Sequence, residues 1–127
     1  MIKKIVLFLV FMAVGNGNLL AAPFQGIGKK VEVNFGETVF VLQFHNEKTM
    51  SFVGISGTYA GAADTVDYTA VELRKGLYMV YWTENILKSR VVHVEDYEKG
   101  LVYTNIADVD GTFSHMKGTL RIIGEAE

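Results

Sequence analysis

The chain has 127 residues, of which 50% are hydrophobic, with 13 glycines and one proline. This length suits one domain with enough apolar surface for a core, and the composition excludes disordered and fibrous classes. The absence of cysteine excludes a disulfide framework and thiolate chemistry, and a net charge of −2 lacks the basic footprint of a nucleic-acid-binding protein.

The first 22 residues have the order of a secretory signal peptide. Lys3 and Lys4 precede an apolar run over 5–14, and the residues GNGNLLAA then lead into the rest of the chain. A membrane anchor is the alternative, but the unbroken apolar run has only about half of the roughly 20 residues that a span needs. The sequence therefore predicts a signal peptide at 1–22 and a mature domain at 23–127.

A cleaved signal implies a secreted or periplasmic location, and the lack of a lipid-acceptor cysteine leaves no membrane anchor after its removal. The mature chain would keep ten of the 12 basic and all 14 acidic side chains, so its net charge would be −4. This acidic balance gives no reason to expect a nucleic acid as partner.

The mature sequence alternates apolar and polar residues with a period of two along almost its whole length. The segments that show this pattern are 29–35, 38–45, 49–56, 65–74, 77–84, 88–97, 101–107 and 112–123. Short turn sequences such as Lys75-Gly76 and Asp110-Gly111 separate them. We expect an all-β fold, a small antiparallel up-and-down barrel of about eight strands. The irregular piece GTYAGAAD at 57–64 is expected to be a lid, a bulged strand or a loop at the barrel mouth.

Two segments carry a resemblance to a known family. TVDYTAVELRKGLYMVYWTEN (65–85) and VVHVEDYEKGLVYTNIADVDGTFSHMKGTL (91–120) resemble the MoaF-like domain, and the similarity extends more weakly back to residue 30. This domain is named after a molybdenum-cofactor biosynthesis protein. The resemblance implies a lipocalin-type barrel of the calycin class with a poorly defined biochemical role. Nothing in these residues indicates a link to that cofactor.

A more distant resemblance involves the strand that ends in Glu84. The order Tyr78, Val80, Trp82, Thr83, Glu84 is similar to a pattern in phenolic acid decarboxylases. In that family the glutamate is a catalytic acid in a barrel cavity, assisted by an arginine and two tyrosines.

This chain departs from the decarboxylase pattern at the other catalytic positions. The tyrosine pair would fall in VEVNF (31–35), which has no tyrosine, and the arginine would fall near Ala62 or Ala63. These departures argue against decarboxylation by that mechanism.

Period-two geometry places Tyr78, Trp82 and Glu84 on one face of a strand. If that face lines a cavity, burial would raise the pKa of Glu84, and the carboxyl could act as an acid or hold a polar ligand group. Trp82 and Tyr78 could stack on a flat ligand. The alternative is an ordinary barrel core, with Glu84 at the end of the strand in water.

Three further residues are candidates for the cavity. His93 lies in RVVHVEDY, where Val92 and Val94 make one face apolar and the His93 face is mixed. Burial alone turns His93 outward, whereas a polar cavity would turn it inward, and the sequence leaves both open. Tyr103 and Asn105 on the next strand could face the same cavity.

The sequence predicts neither a metal site nor a cofactor. His45, His93 and His115 lie on separate segments without ligand spacing. DVDGT at 108–112 begins like a calcium loop but lacks the rest of that pattern, so a hairpin turn accounts for it better.

Two functions of different classes remain. The first is an exported binding protein that holds a small, at least partly apolar molecule, aromatic or carboxylate-bearing, against Trp82, Tyr78 and Glu84, with a polar group near Glu84. The second is an enzyme of the decarboxylase or lyase type with Glu84 as general acid. A purely structural barrel with a filled core is the third possibility. A cavity of roughly 300 Å³ or more that reaches Glu84 would favour the two functional alternatives over the filled barrel.

Export makes a testable prediction about the start of the mature chain. N-terminal sequencing of the protein from its natural source should find a first residue near position 23, because the charged, apolar and small-residue regions end there. Soluble protein in the cytoplasm that still begins at Met1 would contradict it.

Overall fold

The computed structural model describes residues 22–127, and these residues form a closed barrel in which every neighbouring strand pair is antiparallel. The strands are β1 (Lys29–Asn34), β2 (Val39–Phe44), β3 (Thr49–Ser56), β4 (Ala63–Arg74), β5 (Leu77–Thr83), β6 (Arg90–Asp96), β7 (Leu101–Ala107) and β8 (Phe113–Glu125). Each strand pairs with the next in the chain, and β8 pairs with β1 to close the sheet. The predicted all-β up-and-down barrel is confirmed.

The period-two pattern places every second residue of a strand inside the barrel. On β5, for example, Tyr78, Val80 and Trp82 are buried, while Tyr81 between them is 40% exposed. Large apolar side chains from all eight strands meet in one core: Val31, Val33, Leu42, Phe44, Met50, Phe52, Val66, Tyr68, Tyr78, Val80, Trp82, Val91, Val102, Ile106 and Leu120. An eight-stranded barrel is just wide enough for such side chains to fill it.

The segment 57–64 was predicted as a lid, a bulged strand or a loop, and it is a short loop at one end of the barrel. A turn of 3₁₀ helix spans Gly57–Tyr59, and β4 begins at Ala63. The loop lies against Gly54 of β3, whose amide N–H donates to the Ala62 carbonyl at 2.7 Å. Any Cβ at Gly54 would overlap the Tyr59 carbonyl, so the close approach requires glycine.

An aromatic cluster closes one end of the barrel. Phe24, which precedes β1, packs edge to face on Phe44 and Tyr78, with ring centroids 4.9 Å away in both cases. Tyr97 lies 5.7 Å from the same ring. We call this the closed end. The opposite end, where the loops 57–62, 84–89 and 108–112 meet, is the mouth.

The predicted signal peptide at 1–22 lies almost wholly outside the described residues. Within residues 22–127, no helix is long and apolar enough to cross a membrane.

The closed end gives a prediction about stability. Phe24→Ala should lower the free energy of unfolding by about 2–4 kcal/mol, because it removes a ring packed on three other aromatic rings. Phe113→Ala is the matched control, since Phe113 is 64% exposed on β8 and its loss should change stability by about 0.5 kcal/mol or less. Denaturant unfolding of both variants measures the difference, and equal effects would mean that Phe24 does not close the barrel.

Candidate functional site

Two adjacent spaces lie at and below the mouth. The mouth pocket has a volume of about 250 Å³ and is lined by Phe52, Gly61, Ala62, Ala63, Asp64, Glu84, Ile86 and Leu87. The inner cavity beneath it has a volume of about 20 Å³ and is lined by Phe35, Phe40, Leu42, Phe52, Trp82, Glu84, Val91, His93, Thr104 and Ile106. Phe52 and Glu84 line both spaces, so these two side chains form the boundary between them.

A larger groove of about 580 Å³ lies on the outer face of the sheet, beside Thr65, Tyr81 and Arg90. It is open along its length and is lined mainly by outward-facing strand residues. Both unpartnered buried polar side chains described below belong to the inner cavity, so the mouth and its cavity are the candidate site.

Glu84 is the first residue after β5, and its amide N–H donates to the Ser89 carbonyl at 2.8 Å. Its side chain is partly buried between apolar groups, and this burial raises the pKa of the carboxyl to about 7. The nearby carboxylates of Asp64 and then Asp108 raise it further. The Trp82 side chain lies close enough to the carboxyl to lower this pKa, although its indole N–H does not reach hydrogen-bond geometry. Glu84 is therefore poised to change its charge near neutral pH.

Two acids hold the loop that follows Glu84. The Asp64 carboxylate accepts hydrogen bonds from the amides of Asn85 and Ile86 at 2.7 and 2.9 Å. The Asp108 carboxylate accepts one from the Ser89 hydroxyl at 2.5 Å. These bonds fix two further carboxylates around Glu84, so the mouth is an acidic site.

Below Glu84, a chain of polar groups descends into the barrel. His93 Nδ1 lies 2.9 Å from one oxygen of Glu95, and the Tyr97 hydroxyl donates to the other at 2.6 Å. His93 is 4% exposed and Glu95 is fully buried. Burial, followed by the charge of Glu95, raises the pKa of Tyr97 well above its ordinary value, so its hydroxyl stays a donor.

The Glu95 carboxyl group orients the His93 ring, since it lies against Nδ1. In the neutral tautomer whose Nδ1–H donates to Glu95, Nε2 is left as the acceptor for the cavity. The His93 ring also packs against the Trp82 indole, with centroids 4.9 Å apart.

The structure brings three of the six predicted site residues together. Trp82, Glu84 and His93 all line the inner cavity. Tyr78 is buried, but it lies in the aromatic cluster of the closed end and lines neither space. Burial of His93 resolves the two orientations that the sequence left open, because Val91, His93 and Glu95 face inward and Val92 is 37% exposed.

The expectation that Tyr103 and Asn105 face the cavity is wrong. Tyr103 is 44% exposed, with the Lys117 ammonium 5.5 Å from its ring centroid. Asn105 pairs with Val92 on one side and His115 on the other, in the outward phase of the sheet. The inward residues of β7 are Val102, Thr104 and Ile106.

Sequence reasoning missed Thr104 and the Glu95–Tyr97 pair. Thr104 lies between Tyr103 and Asn105, the two residues that were predicted instead. Two apolar residues in the same phase of β7, Val102 and Ile106, were the signal that could have found it, and both are buried. Glu95 lies two residues beyond His93 on the mixed face of RVVHVEDY, and this spacing was the signal that could have found the Glu95–Tyr97 pair.

The remaining histidines lie elsewhere. His45 and His115 are exposed, and His45 bonds to Ser51 and the Glu127 carbonyl. Within residues 22–127, no three His, Cys, Asp or Glu side chains are grouped to hold a metal ion. The segment 108–112 is a turn in which Asp110 accepts from the Thr112 amide at 2.9 Å.

The described chain is thus a small, closed, antiparallel β-barrel with a cavity below its mouth. A family model described as MoaF-like matches residues 27–121, and the chain belongs to the MoaF-like family. A crystal structure described as a "putative beta-lactamase" from Burkholderia vietnamiensis is similar, with a TM-score of 0.75 and 25% sequence identity over 81% of this chain and 100% of that one. None of the curated proteins compared with the chain matches it.

The raised pKa of Glu84 predicts a pH-dependent gain in stability for Glu84→Gln. Between pH 4.5 and about 7 the folded protein holds a proton that the unfolded chain releases, so wild-type stability falls as pH rises through this window. Glutamine has no charge to desolvate. After allowance for solvent screening, the variant should gain on the order of 1–2 kcal/mol at pH 8 and nothing near pH 4.5.

Denaturant unfolding at the two pH values measures this gain. Glu37→Gln, at an exposed glutamate outside the mouth, is the matched control and should show no pH-dependent difference. A gain of the same size at both pH values would exclude ionisation of Glu84 as its cause.

Proposed function

We propose that this protein binds a small molecule in the mouth pocket, with an apolar or aromatic body against Phe52, Ile86 and Leu87 and a polar group at Glu84. The observation that carries the proposal is a carboxyl with a pKa of about 7 at the boundary between an apolar pocket and a buried cavity. A desolvated acid reduces stability when it ionises, which favours a role in holding a ligand.

The charges around the pocket support a neutral or cationic ligand. Among the described residues that line the mouth pocket and the inner cavity, none is lysine or arginine. Glu84, Asp64 and Asp108 all lie at the mouth, and they repel a carboxylate. Carboxylic acids are therefore not expected among the ligands.

The volume supports a compact ligand. The mouth pocket is somewhat smaller than the roughly 300 Å³ at which ligand pockets of folded proteins begin. Its apolar walls and this volume suit a single ring with a short substituent. Ile86 and Leu87, which are 69% and 51% exposed, would be covered by such a ligand.

We further propose that binding takes place outside the cytoplasm. The order of charged, apolar and small residues at 1–22 supports export, as argued from the sequence. The ligand would then be a molecule of the periplasm or the surrounding medium.

A second candidate function is a decarboxylase or lyase with Glu84 as general acid. The observation that favours it is the pKa of Glu84, because a catalytic acid works best when its pKa lies near the working pH. Ala62 and Ala63 line the mouth pocket where the related decarboxylases would place an arginine. Without that cation a substrate carboxylate has no partner, so binding without turnover is the proposal we prefer.

The name of the Burkholderia structure does not lead us to propose β-lactamase activity. The chain has a Ser-x-x-Lys sequence at Ser114 and Lys117, which is one of the motifs of serine β-lactamases. Both residues lie on β8, where positions three apart face opposite sides of the sheet. Lys117 lies outside over Tyr103, so it cannot activate Ser114.

Trp82 is the single tryptophan of the chain and lies on the inner cavity, so its fluorescence reports binding. We expect benzylamine to quench it and benzoate to leave it unchanged. Affinity for benzylamine should rise about tenfold from pH 5 to pH 8, because the ammonium group pairs with Glu84 as the carboxyl ionises.

Glu84→Gln should remove this pH dependence, and Glu37→Gln should keep it. A 4-hydroxycinnamic acid should release no carbon dioxide from either protein. Carbon dioxide release by the wild type that disappears in Glu84→Gln would show that the protein is an enzyme of the second kind and not only a binding protein. Equal binding of benzylamine by wild type and Glu84→Gln at all pH values would show that Glu84 takes no part.

A further inference from the structure

Two polar atoms in the barrel are buried without a partner, and both belong to the inner cavity. Trp82 Nε1 and Thr104 Oγ1 make no hydrogen bond to any protein atom in residues 22–127. Trp82 is 7% exposed and Thr104 is 1% exposed. Buried polar groups in proteins are hydrogen-bonded in the large majority of cases, and an orphaned group costs free energy. Two orphans lining one cavity therefore point to a ligand group that completes them.

The polar groups converge on the same space. His93 and Thr104 lie directly opposite each other on β6 and β7, where side chains of an antiparallel pair are in contact. The indole of Trp82 lies 4.9 Å from the His93 ring, centroid to centroid. All three side chains line the inner cavity.

The chemistry of the three groups defines what can enter. Trp82 offers only a donor, Nε2 of His93 offers an acceptor in the neutral tautomer that donates from Nδ1 to Glu95, and the Thr104 hydroxyl offers either. A group that both accepts and donates a hydrogen bond satisfies them. An ammonium cannot accept from the indole, and a carboxylate cannot donate to the imidazole and has no cation beside it. The volume of about 20 Å³ admits a group about the size of one water molecule.

We propose that the inner cavity is a subsite for one hydroxyl group of the ligand, held by Trp82, Thr104 and His93. The proposal rests on the proposed function, since the body of the ligand occupies the mouth pocket. Phe52 and Glu84 border both spaces, so a displacement of either side chain lets the hydroxyl pass from one to the other. The ligand class is then a compact ring compound that carries a short alcohol arm.

Benzyl alcohol and toluene are the probes, because they differ by the hydroxyl alone. The single indole N–H resonance of the chain follows Trp82 directly in a proton–nitrogen correlation spectrum. Wild type should bind benzyl alcohol about five- to tenfold more tightly than toluene, and only the alcohol should move the indole proton downfield.

Thr104→Val removes the hydroxyl and keeps the shape of the side chain. The preference for alcohol should fall to about twofold or less, and Thr104→Ser should restore it. Stability distinguishes this role from a structural one: because Thr104 has no protein partner, Thr104→Val should keep or raise the free energy of unfolding. Thr119→Val, at an exposed threonine of β8, controls for the same change in a strand.

Three results would contradict the proposed subsite. Equal affinities for alcohol and toluene in wild type would overturn it and leave the mouth pocket as the binding site. A marked loss of stability in Thr104→Val, absent from Thr119→Val, would assign Thr104 to structure. Failure of both probes and of benzylamine to bind would overturn the mouth pocket and the subsite together.

Discussion

The carboxylate of Glu95 is fully buried inside the barrel, and an ionised acid at such a place requires donors on both oxygens. Tyr97 supplies one from the closed end and His93 supplies the other from the side of the mouth. The same pair of bonds orients the His93 ring. The surface chemistry of the inner cavity is therefore set by an acid that does not line it.

The two glutamates of the interior lie in opposite environments. Glu95 has two hydrogen-bond donors and no exposure, whereas Glu84 is partly buried among apolar groups and faces two other carboxylates. Desolvation and like charges raise the pKa of Glu84, whereas both oxygens of Glu95 have hydrogen-bond partners. The barrel thus separates a fixed structural acid from an acid at the mouth that is free to titrate near neutral pH. This division places chemical responsiveness at the end where a ligand would enter.

Strand positions could be predicted from the sequence because the side chains of a barrel strand alternate between the apolar interior and the outside. The turns between strands are marked by residues such as glycine and aspartate. The face of a strand was harder to predict where both faces carry apolar residues. On β6 the outward Val92 and Val94 are more apolar than the inward His93 and Glu95, so hydrophobicity alone reverses the strand. His93 and Glu95 are two residues apart on β6 and bond to each other on the inner face. Their spacing places them on one face, but the alternation of apolar and polar residues does not show that this face points inward.

Packing alone does not account for the inner cavity. A barrel of this size has a stability of about 5–15 kcal/mol, and each unpartnered buried polar group costs on the order of 1–3 kcal/mol. Valine at position 104 would fill the same volume without an orphaned hydroxyl, and a phenylalanine at position 82 would carry no N–H to orphan. The core elsewhere in residues 22–127 uses such residues freely, as at Val102 and Phe52. The two exceptions lie side by side under the mouth, so the polar lining of the inner cavity costs stability that the rest of the core avoids.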